Sequence, residues 1–141
     1  MRFMILVKAT KDSEAGVMPA DDRLFAEMAK YHEELSKAGM LIDASGLKPS
    51  KQGWRIEYDG KKRTFVDGPF AETKELVAGY TIIQARSREE AVEWTRRFPN
   101  PAVDGGRCQI EVRPFYELED LAKFTDVERF RKLGVGGERH G

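Results

Sequence analysis

The apolar residues of this chain form two strand-like runs. Residues 3–7 are apolar at every position, which is typical of a strand that is buried on both faces. Residues 77–85 form a second run rich in apolar side chains, among them Tyr80, Ile82 and Ile83. Both runs are therefore predicted to be strands in the middle of a sheet.

Between these runs, one stretch has the spacing of a helix with a single apolar face. Pro19 is expected to open this helix, with Asp21 and Asp22 in its first turn, where the helix dipole favours acids. Gly39 stands where a left-handed C-terminal cap is expected. Apolar residues recur at steps of four and three, as one face of a helix requires: Leu24, Met28, Tyr31, Leu35 and Ala38.

The middle of the chain has the pattern of a strand followed by a hairpin. Residues 40–44 restart an extended segment after the helix. Residues 54–58 and 63–66 are two β-like runs on either side of Asp59-Gly60, which is a strong hairpin signal. Further on, Ser87 and Glu90 have the spacing of a capping box and predict a second helix.

The last third of the chain begins with a strand and ends without a core-forming pattern. Residues 109–114 alternate between apolar and polar, which predicts a half-buried strand. An acidic helix is expected from about Glu117, and Thr125 with Glu128 predicts one further cap. From Gly134 onward we expect a mobile tail.

The order strand, helix, strand, hairpin, strand, helix, strand predicts an α+β fold, a ferredoxin-like split βαβ with an inserted hairpin. Right-handed crossovers would place both helices on one face of the sheet. The other face of the apolar central strands would then be bare, and monomers seldom leave so large a patch uncovered. We expect a homodimer stacked face to face. The alternative is that the hairpin and the C-terminal helix fold back over the sheet.

Length and charge narrow the class of protein. A chain of 141 residues predicts one domain, residues 1–120, followed by a C-terminal helix and flexible tail at 121–141. Lys plus Arg equals Asp plus Glu at 24 each, so no net field favours nucleic acid or a membrane surface as a partner. The N-terminal apolar run is too short to span a membrane, and a cytoplasmic protein is expected.

Residues 67–75 concentrate charged side chains around Gly68-Pro69. As a functional site, this loop would use Asp67 or Glu72 as a catalytic base and Lys74 to hold an anionic substrate. The alternative is a solvated turn whose charges balance one another.

Three further residues are candidate substrate-binding groups, each with a structural alternative. Tyr31 lies on the apolar stripe of the first helix, where a place in the core with the hydroxyl at its edge is the commoner outcome. Arg113 either pairs with an acid across strands or binds an anionic substrate. Ser50 ends a Gly-Leu-Lys-Pro-Ser turn, where a hydroxyl usually bonds the backbone.

Metal, nucleophile and nucleotide chemistry find little support. His32 and His140 are the only histidines, one assigned to a polar helix face and one to the tail, so no metal site is expected. Cys108 is the single cysteine and has no histidine near it in sequence. No glycine motif opens a helix to cradle a phosphate, and no cofactor is predicted.

The nine residues from 67 to 75, DGPFAETKE, resemble the signature of the YCII-related family in its DGPF-domain branch. Other landmarks of the branch follow in the same order over residues 1–120: YHEEL at 31–35, GLKPS at 46–50, GY at 79–80 and IEVRP at 110–114. The resemblance implies a ferredoxin-like domain that pairs into a dimeric α/β barrel. Shorter members are thought to use a His–Asp pair, and their histidine falls near Met28 here.

Two functions remain open. One is a cofactor-independent lyase or isomerase that acts on a small molecule, with Asp67 and Glu72 moving protons. The other is a non-catalytic ligand sensor or accessory module, since the resemblance includes members encoded beside extracytoplasmic-function sigma factors.

Overall fold

A computed structural model describes residues 1–137 of the protein. The strands are β1 (Arg2–Lys8), β2 (Leu41–Gly46), β3 (Trp54–Asp59), β4 (Lys62–Asp67), β5 (Val77–Gln84) and β6 (Ile110–Pro114). The α-helices are α1 (Lys11–Glu14), α2 (Arg23–Lys37), α3 (Arg88–Arg96) and α4 (Val127–Lys132). Short 3-10 helices span Ser50–Gln52, Thr73–Glu75 and Leu118–Leu121.

The main sheet has four antiparallel strands in the order β2-β5-β1-β6, so the two apolar runs are indeed central. The hairpin β3-β4 forms a separate two-stranded sheet, turning at Gly60 with a left-handed φ of 60°. This mixed helix and sheet arrangement is consistent with the predicted ferredoxin-like α+β fold.

One face of the central strands forms the core. Phe3 and Ile5 of β1 and Ile83 of β5 are buried, with Phe3 directly opposite Ile83. They pack against Leu35 of α2 and Ala91 of α3, so both helices lie on this side of the sheet, as predicted. A fully buried Ile or Leu contributes roughly 1.5–3 kcal/mol relative to an exposed one, which makes this row the main apolar contribution to stability.

The opposite face of the same strands carries a second apolar row. Met4 lies opposite Ile82 and Leu6 opposite Tyr80, and all four side chains are half-buried in the single chain. We name these four residues the open-face row. A hairpin packed over these residues would have one buried face. Every residue of β3 is exposed, so the hairpin does not cover the open-face row in this way. This exposure argues against the alternative to the dimer in which the hairpin folds back over the sheet.

Helix α2 begins later than predicted. It starts at Arg23 rather than near Pro19, because a carboxylate oxygen of Asp21 accepts the Arg23 N–H at 3.0 Å and holds that segment in a turn.

The short helix α1 was not predicted; the Thr10 and Ser13 side chains cap its first turn reciprocally. The expected left-handed cap at Gly39 is confirmed, with φ 72°.

The C-terminal segment is partly docked. A 3-10 helix, Leu118–Leu121, replaces the long acidic helix expected from Glu117, and α4 follows at Val127–Lys132. Gly136 lies against the buried side chain of Leu118, and the mobility of the tail stays a prediction. The rest of the predicted tail, residues 138–141 with His140, lies outside the described residues. Within residues 1–137, no helix has the length and apolar character to cross a membrane.

Candidate functional site at the loop end of the sheet

The antiparallel register brings several connections to one edge of the main sheet. Val7, near the end of β1, lies opposite both Gly79 near the start of β5 and Ile110 at the start of β6. Gly46, the last residue of β2, also lies opposite Gly79. The segments that follow β1 and β2 and precede β5 and β6 therefore meet here, at what we call the loop end.

Ser50 fastens the 67–75 loop to the loop end. Its hydroxyl accepts the Phe70 N–H at 3.1 Å and donates to a carboxylate oxygen of Glu14 in a short hydrogen bond. The backbone N–H of Ser50 donates to the other carboxylate oxygen of Glu14 at 3.0 Å. Ser50 thus joins α1, its own turn and the loop, and its hydroxyl is occupied by protein groups.

Gly68 lets the loop approach the Ser50 turn closely. Its N–H donates to the Gly53 carbonyl at 3.0 Å. A Cβ added at Gly68 would overlap the Ser50 carbonyl oxygen and lie 2.6 Å from its carbonyl carbon. Glu72 has a left-handed φ of 61°, which is unusual for a residue with a side chain and shows how firmly the loop is held.

We expect Gly68→Ala to destabilise the protein by about 1–3 kcal/mol, because the new methyl group meets backbone atoms that cannot rotate away. Urea unfolding followed by circular dichroism measures the change. Gly46→Ala is the matched control, since a Cβ there meets nothing within 4 Å. Equal stability of the two variants would show that the loop does not depend on this close approach.

The charged side chains of the 67–75 loop form no ion pair with one another within residues 1–137. Asp67 and Glu72 are exposed and make no side-chain hydrogen bond or ion pair within residues 1–137. Lys74 lines a cleft of about 480 Å³ together with Lys8, Lys11 and Arg107, which we name the cationic cleft. The loop therefore supplies one wall of this cleft, but none of its three acids, Asp67, Glu72 and Glu75, lines it.

Tyr31 lies in the core, away from the loop. Its hydroxyl donates to the Trp94 carbonyl of α3 at 2.7 Å, and its ring meets Phe98 edge to face with centroids 5.2 Å apart. Burial raises the pKa of Tyr31 to about 12, although the positive charge of Arg97 acts in the opposite direction and lowers this pKa. The structure thus favours the core alternative over a substrate-binding role, because the hydroxyl already has a partner.

Tyr31→Phe should cost about 0.5–1.5 kcal/mol of stability, the usual net contribution of one hydrogen bond. The loss is modest because the Trp94 carbonyl still accepts the Arg97 N–H at 3.1 Å. Tyr116→Phe, at a side chain that is 77% exposed, is the control. No change in stability would show that the Tyr31 bond does not form.

The raised pKa of Tyr31 also sets a pH dependence. An unfolded tyrosine ionises near pH 10, whereas folded Tyr31 keeps its proton to about pH 12. The unfolded state therefore binds fewer protons between these values, and stability falls as the pH rises through this window. Unfolding free energies measured from pH 9 to 12 should fall less steeply in Tyr31→Phe than in the original chain; parallel curves would contradict the assignment.

Arg113 projects from the edge strand β6 on the open side of the sheet. Its guanidinium donates to a carboxylate oxygen of Glu111 at 3.4 Å, so Arg113 pairs with an acid of its own strand and not with one across strands, as the pairing alternative expected. In the single chain the six predicted site residues, Asp67, Glu72, Tyr31, Ser50, Lys74 and Arg113, do not line one cavity. Their roles in binding and catalysis stay predictions.

A different cleft opens between α2 and the loop end. We name it the helix-side cleft; its volume is about 420 Å³ and most of its lining is apolar, including Met28 and Phe25 of α2 and Phe98. His32 and Thr81 provide a polar pair in its wall, with His32 Nε2 2.8 Å from the Thr81 hydroxyl oxygen. An apolar cleft with a small polar group is the common makeup of a ligand site.

The sequence-based placement of His32 on a polar helix face was wrong. His32 is half-buried and turned toward the sheet. It stands four residues after Met28 and three before Leu35, so the helical spacing itself was the signal that it borders the apolar stripe. Because histidine is a polar residue, it was not counted with the apolar residues of that stripe.

The neighbours of His32 define its hydrogen bonding. Nδ1 lies 2.7 Å from the Met28 carbonyl, which only accepts, so Nδ1 carries the proton. In the neutral ring Nε2 then accepts from the Thr81 hydroxyl, whose residue is 2% exposed. Within residues 1–137 there is no cluster of three or more His, Cys, Asp or Glu that would hold a metal ion.

The fold and its clefts define a ferredoxin-like α+β protein with cavities of small-molecule size. The chain belongs to the YCII-related family: the model of the YCII-related domain matches residues 1–116. It is also 30% identical over 101 residues to an uncharacterized protein of Rhizobium meliloti (strain 1021), covering 72% of this chain and 82% of the relative.

Among solved structures, the chain is similar to the 5-chloro-2-hydroxyhydroquinone dehydrochlorinase of Burkholderia phenoliruptrix AC1100, in complex with 2,5-dihydroxybenzoquinone. The match has a TM-score of 0.45 and 16% identity, and covers 83% of this chain and 95% of the other. At this level the likeness says nothing about the activity of the present chain.

Proposed function

We propose that this protein is a homodimeric, small-molecule-binding member of the DGPF branch of its family. The observation that carries the proposal is the helix-side cleft, whose mostly apolar lining includes the hydrogen-bonded pair His32–Thr81. Its volume of about 420 Å³ lies within the range of about 300–1,000 Å³ that small-molecule sites occupy. Apolar walls would desolvate a ligand ring or chain, and the polar pair would orient one hydrogen-bonding group.

The open-face row supports the dimer. Met4, Leu6, Tyr80 and Ile82 form a contiguous apolar strip along the two central strands. Stacking a second copy on this strip would bury it and form the dimeric α/β barrel. The hairpin also leaves Trp54 and Phe65 largely exposed on one face, stacked with ring centroids 6.1 Å apart, which a neighbouring subunit would cover.

Size-exclusion chromatography with light scattering should give about twice the chain mass of 16.0 kDa at micromolar concentration. Leu6→Glu should give a folded monomer, because it places a carboxylate in the apolar strip. Val92→Glu, on the exposed surface of α3, should remain dimeric. A wild-type monomer, or a dimer that survives Leu6→Glu, would rule out this interface.

Two chemical roles fit a ligand cleft at the loop end. The first is a cofactor-independent lyase or isomerase in which Asp67 and Glu72 move protons and Ser50, Lys74 and Arg113 contact the substrate. The second is a non-catalytic sensor or accessory module linked to sigma-factor regulation. The second role is favoured by one observation: in the single chain neither Asp67 nor Glu72 lines either cleft at the loop end. The first role needs the second subunit to bring these acids to the ligand.

Ligand-observed NMR with a library of small aromatic and aliphatic compounds tests the cleft without a guess about the substrate. We expect ligands that bind the original chain but not Ala29→Trp, since Ala29 lines the helix-side cleft and an indole would fill it. Ala26→Trp is the matched control, because Ala26 is exposed on the same helix outside the cleft lining. No ligands, or equal binding to Ala29→Trp, would contradict the proposal.

The same ligands separate the two roles. If a ligand is converted during incubation, Asp67→Asn and Glu72→Gln should abolish the conversion while leaving binding intact, as expected for proton-transfer groups. Conversion that survives both substitutions would remove these acids from the mechanism. Binding without conversion by the original chain would support the sensor.

A further inference from the structure

The cationic cleft concentrates positive charge in a chain that is neutral as a whole. Lys8, Lys11, Lys74 and Arg107 line its volume of about 480 Å³, and no described Asp or Glu lines it. The four cations come from three separate segments: the end of β1 and the start of α1, the 67–75 loop, and the approach to β6. Because the loop end brings these segments together, the charge is a product of the fold.

Most of these cations have no acidic partner. Within residues 1–137, Lys11, Lys74 and Arg107 make no ion pair. Lys8 Nζ lies 4.0 Å from a carboxylate oxygen of Glu111, but that carboxylate is shared with Arg113 at 3.4 Å. Like charges gathered without partners repel one another, and a bound anion would relieve that repulsion.

The rest of the cleft is suited to hold an anion. Lys8 is not a free surface side chain, because only 16% of it is exposed. Thr73 lines the same wall, and its hydroxyl makes no hydrogen bond to any described residue, so it remains available as a donor. Burial raises the pKa of the Cys108 thiol, which therefore stays uncharged in this wall and does not compete with an anion.

We propose that the cationic cleft binds a small organic polyanion, a molecule that carries two or more negative charges on phosphate or carboxylate groups. Lysine ammonium groups and one guanidinium suit both groups, since each forms charge-assisted hydrogen bonds to anionic oxygens. The site extends the anion-holding role predicted for Lys74 to three residues that the sequence did not single out. It shares no lining residue with the helix-side cleft, so its test is separate from the ligand test of that cleft, although Lys74 also belongs to the lyase role of the proposed function.

Isothermal titration calorimetry with inorganic pyrophosphate and with citrate tests the site, using the full chain at low ionic strength. We expect one site per chain for at least one probe. Lys74→Ala and Arg107→Ala should each weaken the Kd by about tenfold or more, the effect of losing one hydrogen bond to a charged group. Lys61→Ala, at the exposed hairpin turn, is the charge-matched control and should leave the Kd unchanged. Tighter binding of pyrophosphate would indicate a phosphorylated ligand, and tighter binding of citrate a polycarboxylate.

Alkylation of Cys108 locates the bound probe, because the chain has a single cysteine and it lies in the cleft wall. The bound anion should slow labelling by N-ethylmaleimide, measured by mass spectrometry, and Arg107→Ala should abolish that protection. The proposal is overturned if neither probe binds, if Lys61→Ala weakens binding as much as Lys74→Ala, or if binding leaves the labelling rate unchanged. The last two results would place the anion on a diffuse surface or at another site.

Discussion

The pairing of β1 with β5 forms the centre of the main sheet, on which the outer strands pair and the helices α2 and α3 pack. Phe3 and Ile5 lie opposite Ile83 and Thr81, and this row is buried under α2 and α3. A slip of one residue would turn this row out of the core and put side chains of the open-face row in its place. The same register brings the end of β1 and the start of β5 to one edge of the sheet, where both clefts form.

The 67–75 loop has a structural role in the fold. Ser50, Glu14 and the Phe70 N–H form one hydrogen-bonded junction, and Gly68 lies against the Ser50 carbonyl where no side chain fits. This junction positions the start of β5 and the wall of the cationic cleft. The sequence suggests a reactive loop. The packing at this junction, however, already explains why residue 68 is a glycine and residue 50 is a serine, without any catalytic role.

The two clefts at the loop end differ in the chemical character of their linings. The lining of the helix-side cleft is mostly apolar and includes the hydrogen-bonded pair His32–Thr81, whereas the charged side chains that line the cationic cleft are all basic. A chain with 24 basic and 24 acidic residues has no long-range field, so this separation acts only at short range. The ligand binding proposed for either cleft would therefore rest on local contacts rather than on electrostatic steering.

Residue patterns alone were enough to predict the order of the six strands and of the helices α2 and α3, the hairpin at Asp59-Gly60, the left-handed cap at Gly39 and the central place of the two apolar runs. These features depend on spacing and on local backbone preferences, which a sequence displays directly. It missed the four-residue helix α1 and the late start of α2, because hydrogen bonds of single side chains, Thr10 and Asp21, decide those boundaries.

The tertiary structure alone decided which side chains share a cavity. Tyr31 and His32 are neighbours in sequence, yet one is fixed in the core by the Trp94 carbonyl and the other borders a cleft beside Thr81. Lys8, Lys74 and Arg107 are far apart in the chain and meet only because three segments converge at one end of the sheet. Spacing along a sequence reports the periodicity of one element, whereas a site depends on the register and packing between elements, and that information lies in the folded chain.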